Sequence, residues 1–169
     1  MALSGSQADE PPVRGHAVYG VWLDWGLLYV GQTSEAERRL RDLAVGESHH
    51  LANTFPPEIW HRVVVVAWPR LPEAGPLVER FGADEVGLGL EHRLQSWLEP
   101  LANGSRRRPD GGWREVDWAT SRSRGARVGR QIDSLFEAVR RVWREASEAG
   151  SSTASEVYRV VFPGELLPT

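Results

Sequence analysis

Residues 17 to 33 read AVYGVWLDWGLLYVGQT, and they hold two tyrosines, Tyr19 and Tyr29. A phenol can donate or accept a hydrogen bond, and an ionised phenol can take a proton. It titrates near pH ~10 when unperturbed, so proton-accepting work at neutral pH needs positive charge close by. The two tyrosines lie in short apolar runs joined by Asp24-Trp25-Gly26, which reads as a β-hairpin over 15–23 and 27–31. A three-residue loop would pair Leu23 with Leu27, Val21 with Tyr29 and Tyr19 with Gly31. Side chains alternate faces along a strand, so this register puts both phenols on one face, diagonal to each other. Gly31 opposite Tyr19 leaves space above that ring. The plain alternative is that the two rings only fill a core.

The chain around the hairpin must position such a face. Its 169 residues suit one domain, or one domain with an extension, and an apolar share of 41% with 25% charged residues points to a globular protein. Residues 1–13, small, polar and ended by Pro-Pro, read as a disordered tail without the basic start and apolar run of an export signal. The apolar run VVVVAW is too short to span a bilayer, so a cytoplasmic protein is expected. The absence of cysteine excludes disulfides and thiolate zinc sites. After the hairpin, TSEAERRLRDLAVG reads as a helix capped by Thr33 or Ser34, burying Ala36, Leu40 and Leu43 and ending at Gly46. HRVVVVAW at 61–68 reads as a central strand, and helices are expected near 76–81 and 84–99, the second stopping before Pro100. Residues 103–118 are loop or hairpin material. The pattern over 122–147 predicts one long amphipathic helix, with Val128, Ile132, Leu135, Phe136, Val139, Val142 and Trp143 on its apolar side. A Ser/Gly linker at 147–155 leads to a final strand, EVYRVVF.

The net charge of −3 hides an uneven distribution. Residues 1–103 carry 8 arginines against 14 acids, residues 104–144 carry 11 against 5, and residues 145–169 carry 1 against 4. The chain has no lysine. Biased genome composition explains that more simply than selection for phosphate contacts, although the guanidinium fork suits both.

The stretch AVY…YVGQT, with nine residues between its tyrosines, resembles the signature of the GIY-YIG nuclease superfamily. Ala17 stands where the family prefers glycine, and the gap is slightly short. The resemblance extends further. Arg39 lies ten residues after Tyr29, GESHH supplies His49 and His50, and LEHRLQSWLEPLAN sets Pro100 nine and Asn103 twelve residues after Glu91. These last spacings are similar to those of the family's excision-repair members. The likeness covers about residues 15–104, so residues 14–104 would form the nuclease core and 105–169 a C-terminal extension for target recognition.

The family implies an α+β fold, a small central antiparallel three-stranded sheet flanked by helices, here followed by an Arg-rich loop and the long helix. It implies hydrolysis of phosphodiesters in double-stranded DNA with a single Mg²⁺, for which Mn²⁺ can substitute, and no small-molecule cofactor or membrane partner. One carboxylate anchors a largely hydrated Mg²⁺, and Glu91 would be that ligand. By the same resemblance Tyr19 would be the general base, helped by His49, His50 or His16. Tyr29 would position water or phosphate, Arg39 would brace the phosphate oxygens, and Asn103 would hold the Glu91 region or a metal-bound water. His49 is taken as the catalytic histidine. Gln32 and Thr33, together with Arg106, Arg107, Arg108 and Arg114, are expected to contact DNA; Trp113 and Trp118 could stack on bases or pack in the core.

Each residue also has a plainer reading: Arg39 as a solvated helix charge, the histidines as loop surface, Glu91 as helix surface, Asn103 as a helix-end turn residue. Glu85 is a rival carboxylate but has no asparagine at the right distance. No histidine pair has helical zinc-ligand spacing, and GLGLE lacks the third glycine of a phosphate loop. Three functions follow: a restriction-type or defence endonuclease, a repair or recombination nuclease for branched or damaged DNA, and a catalytically silent DNA-binding module. The intact tyrosines, arginine, glutamate and asparagine disfavour the third, and the lack of a recognisable partner domain disfavours the second. A monomer and a homodimer are both open.

Overall fold

The computed structural model describes residues 13–45, 54–103, 106–114 and 120–165. Strands β1 (Ala17–Leu23) and β2 (Gly26–Thr33) precede helix α1 (Ala36–Val45) and strand β3 (Arg62–Val66). Helices α2 (Ala74–Phe81), α3 (Ala83–Leu98), α4 (Arg124–Gly129) and α5 (Asp133–Ser147) follow, then strands β4 (Thr153–Ala154) and β5 (Tyr158–Val161). The fold is α+β. Its sheet has five antiparallel strands in the order β2-β1-β3-β5-β4, where three were expected. The final strand pairs with the free side of β3, and part of the expected linker forms β4.

The sheet separates two apolar clusters. Val18, Val64, Val66 and Val160 face α3 and α5, while Ala17, Tyr19, Val21, Val63 and Val65 face the side carrying Leu40 of α1 and Trp60. Both faces of β3 are therefore covered, which explains an unbroken valine run in place of alternation. Val13, expected in the tail, joins the second cluster at 9% exposure. The expected division after residue 104 does not break the core: Ile132, Leu135 and Val139 pack in one cluster with Val18 and Val30.

Two local expectations change. The hairpin turn is Asp24-Trp25, with Leu23 opposite Gly26 and Trp22 opposite Leu27. A bulge between Val21 and Trp22 absorbs the extra residue Leu28, after which Val21 meets Tyr29 and Tyr19 meets Gly31 as expected. The long helix is two. Ser123 caps α4 by accepting the Ala126 N–H at 3.2 Å. Arg93 of α3 then donates to the Gly129 carbonyl at 2.9 Å and to Asp133 at 2.6 Å, holding the chain at the break. All seven predicted apolar residues are nonetheless buried, because the two helices turn the same stripe to the core.

Helix α3 ends at Glu99, whose left-handed backbone (φ 48°, ψ 54°) turns the chain into Pro100. The turn runs the next residues along the outer edge of β2. Ala102 N–H donates to Leu28 at 2.7 Å, and Leu101 N–H donates to Leu27 at 3.3 Å. Asn103 then fixes Val30 from both ends: its Oδ1 accepts the Val30 N–H and its Nδ2 donates to the Val30 carbonyl, each at 3.0 Å. An edge that would otherwise present unpaired backbone is thus covered.

Candidate active site

The strap at Val30 fixes the backbone between Tyr29 and Gly31, and the site grows from there. Tyr19 is 1% exposed, and its ring lies 6.1 Å from that of Tyr29 at 34°. A side-chain hydrogen bond joins the two hydroxyls. Both rings reach across Gly31. A methyl there would stand 2.7 Å from the Tyr19 hydroxyl and 2.8 Å from Tyr29 Cε1, closer than any real contact. Arg39 comes from α1 and Glu91 from α3, each close enough for its charge to act on both phenols. Four of the expected residues therefore converge from β1, β2, α1 and α3. Arg39 also lines a pocket of about 220 Å³ with Gln32, Thr33, Ser34, Glu35, Arg38 and Asp42.

Glu91 is half-buried, and its carboxylate accepts the Gln32 N–H. Burial pushes its pKa from 4.5 up to about 7, against the opposing pull of Arg106, of that N–H and of Arg39. Tyr19 moves well above its ordinary value of 10, chiefly through burial, then through Tyr29 and Glu91; Arg39 opposes. Tyr29 is raised as well, by burial and then Glu91, while Arg39 and the hydrogen bond with Tyr19 pull it down. The phenols thus keep their protons here, and only added positive charge would free one.

The other expected residues fall differently. His49, His50 and Trp118 lie outside the described residues. His16 points to the opposite side of the sheet from Tyr19, edge-on to Trp68 at 5.9 Å and 3.9 Å from Asp84. The rival Glu85 is paired with Arg124. Asn103 is committed to Val30 by both ends of its amide, so its observed work is to position β2. Thr33 is 8% exposed and accepts the Glu35 N–H at 3.0 Å, while the Gln32 side chain lies against Gly87 of α3. Arg107 donates to the Glu99, Pro100 and Gly111 carbonyls and lies over the Trp113 ring at 5.1 Å, so it closes its own loop. Arg108 and Arg114 are exposed.

Arg106 turns inward, and with it come two residues that sequence reasoning passed over. His92 Nδ1 lies 2.5 Å from Arg106 Nη2, and Gln95 Oε1 lies 3.3 Å from Arg106 Nε. His92 is 2% exposed, and burial, then Arg106, Arg130 and Arg93, lower its pKa to about 4. Gln95 also donates to the Val30 carbonyl at 3.2 Å. Its position four residues after Glu91 was the available signal, since i and i+4 share a helix face. No family model matches this chain, and no curated protein or solved structure matches it.

Proposed function

We propose that the chain is a metal-dependent DNA endonuclease of GIY-YIG type that hydrolyses phosphodiesters with a single Mg²⁺, in a restriction or defence role. One observation carries this reading: Tyr19, Tyr29, Arg39 and Glu91 converge around a β2 segment held rigid by Asn103. The donor set fits the ion. A single carboxylate, oriented by the Gln32 N–H and kept from bulk water, suits one largely hydrated Mg²⁺ and not a dinuclear cage. Bound at Glu91, the ion supplies charge for the leaving oxygen and offsets the field that holds the phenol protons.

The chain's own groups do the rest. Arg39 neutralises non-bridging phosphate oxygens, where its five donors and fixed charge are worth most in a partly buried site. The Tyr19–Tyr29 pair orients the attacking water; with the Glu91 carboxylate charge-compensated, Tyr19 first gives up its own proton through the Tyr29 hydroxyl to solvent, and the phenolate then takes the proton of the water. The exposed Arg108 and Arg114 contact the DNA backbone. The protein works in the cytoplasm.

A second reading, a DNA-binding module without activity, is favoured by the deep burial of Tyr19 and the firm hold on its proton. Incubation of plain, methylated and branched DNA with Mg²⁺ separates the possibilities. Discrete fragments from duplex DNA support the restriction reading, cleavage confined to branched DNA supports a repair nuclease, and intact DNA with retained binding supports the silent module. Glu91→Ala should bind DNA and fail to cut; nicking by this variant at the wild-type rate removes Glu91 as the metal ligand.

A further inference from the structure

We infer that Arg106 is a second phosphate-binding arginine of this site, set beside Glu91 with Arg39, and that His92 and Gln95 are its positioning residues. This inference rests on the nuclease reading. In the sequence Arg106 opens a run of three arginines, all expected to contact DNA alike. The fold treats the three differently: Arg108 stays exposed, Arg107 is spent on its own loop, and Arg106 enters the site.

Two buried, neutral acceptors fix its guanidinium. Arginine has no acceptor atom, so at 2.5 Å from Nη2 the His92 Nδ1 must accept, and the imidazole proton sits on Nε2. Gln95 Oε1, in a residue 7% exposed, takes Nε at 3.3 Å. The backbone is fixed too. The Arg106 N–H donates to Asn103 at 2.9 Å, and its carbonyl accepts the Arg114 N–H at 2.7 Å. Helix α4 closes over His92, where a methyl on Gly125 would stand 3.2 Å from the histidine Cβ.

The charge so held reaches Glu91, as that of Arg39 does, and both oppose the rise in its pKa. Yet among the described residues no ion pair or hydrogen bond joins Arg106 to Glu91; its bonded partners are uncharged. A cation meant only to neutralise a carboxylate would sit on it. One anchored to neutral groups and held off the carboxylate leaves donors for an anion that arrives later. The anion that fits between two guanidiniums and a metal-binding carboxylate is a phosphodiester.

The test uses the full chain, wild type, Arg106→Ala and Arg106→Lys, with a short DNA duplex. Binding is measured against salt with Ca²⁺ in place of Mg²⁺, and cleavage with Mg²⁺. Loss of one phosphate contact should lower the slope of log affinity against log salt by about 0.9 for Arg106→Ala. Cleavage should fall by about 10²–10³-fold. Arg106→Lys keeps the charge and loses the fork, so it should keep the slope and still cut poorly, which separates the effect from misfolding. His92→Phe should lower kcat without raising KM, and His92→Gln, which retains an acceptor, should restore part of it.

Cleavage lost with an unchanged Arg106→Ala slope means Arg106 serves Glu91 alone and overturns the inference. A lower slope with unchanged cleavage marks a peripheral contact and overturns it too, as does no change in either. If the wild type binds DNA but does not cut it, the nuclease reading fails, and the slope alone decides for or against Arg106 as a phosphate ligand.

Discussion

Glu91→Gln tests the buried carboxylate without reference to cleavage. The fold raises this group from 4.5 to about 7, so it favours the neutral form. The stability Glu91 contributes is full below pH 4.5 and is lost as pH rises through about 7. The span is ~2.5 pH units, worth at most about 3.5 kcal/mol at ~1.4 kcal/mol per unit. Glutamine keeps the shape and cannot ionise. In EDTA, urea unfolding at pH 5 and pH 8 should therefore show the variant gaining on wild type by about 2.5 kcal/mol across that interval, or roughly 5–10 °C in Tm. His92, lowered to about 4, contributes stability that is present above 6.5 and lost as pH falls through 4. That contribution is common to both proteins and cancels in the difference. Parallel curves, within about 0.5 kcal/mol at both pH values, would mean Glu91 is solvated in the fold, and the argument that its site awaits a cation would collapse.

Tyr19→Phe keeps the ring and removes only the hydrogen bond to Tyr29, so melting should drop by about 1 kcal/mol in stability while cleavage drops at least about 10²-fold. Comparable losses in both would return Tyr19 to the role of core filler. Gly31→Ala forces a methyl against Tyr19 and should destabilise by about 1–3 kcal/mol. In a Tyr19→Ala background the Gly31→Ala cost should shrink by the share that Tyr19 contributes, with the Tyr29 contact remaining, and strict additivity in chemical denaturation would show that Tyr19 and residue 31 do not share space. Asn103→Ala orphans the Val30 N–H and should cost about 1–3 kcal/mol, with faster hydrogen exchange at that amide; unchanged protection would remove the strap from the account.

The face shared by the phenols was legible because strand alternation is rigid. Even with the turn one residue shorter than expected, the bulge at Val21–Trp22 restores the pairing that the core demands. The end of α3 was legible from Pro100, and its left-handed Glu99 follows. What was hidden depends on distant partners. The helix break at 130–132 needs Arg93, about forty residues earlier on another helix, and nothing local announces it. The final strand was legible as EVYRVVF, but its place beside β3 and the short β4 were hidden for a similar reason: a short apolar run does not say which strand it will pair with. Arg106 was expected to contact DNA like its neighbours, because a run of charges looks alike from outside, and only the fold distinguishes the one that meets His92 and Gln95.

The place of β5 beside β3 sets an order of events during synthesis. Residues 62–66, the most β-prone run in the chain, have one side taken by β1 as soon as the hairpin forms. Their other side waits until residues 158–161 have left the ribosome. For that interval a flat valine edge is open to any extended segment nearby, the circumstance in which strands pair with the wrong chain. The five-stranded sheet would then be complete only late in translation, after nearly all of this sequence has been made.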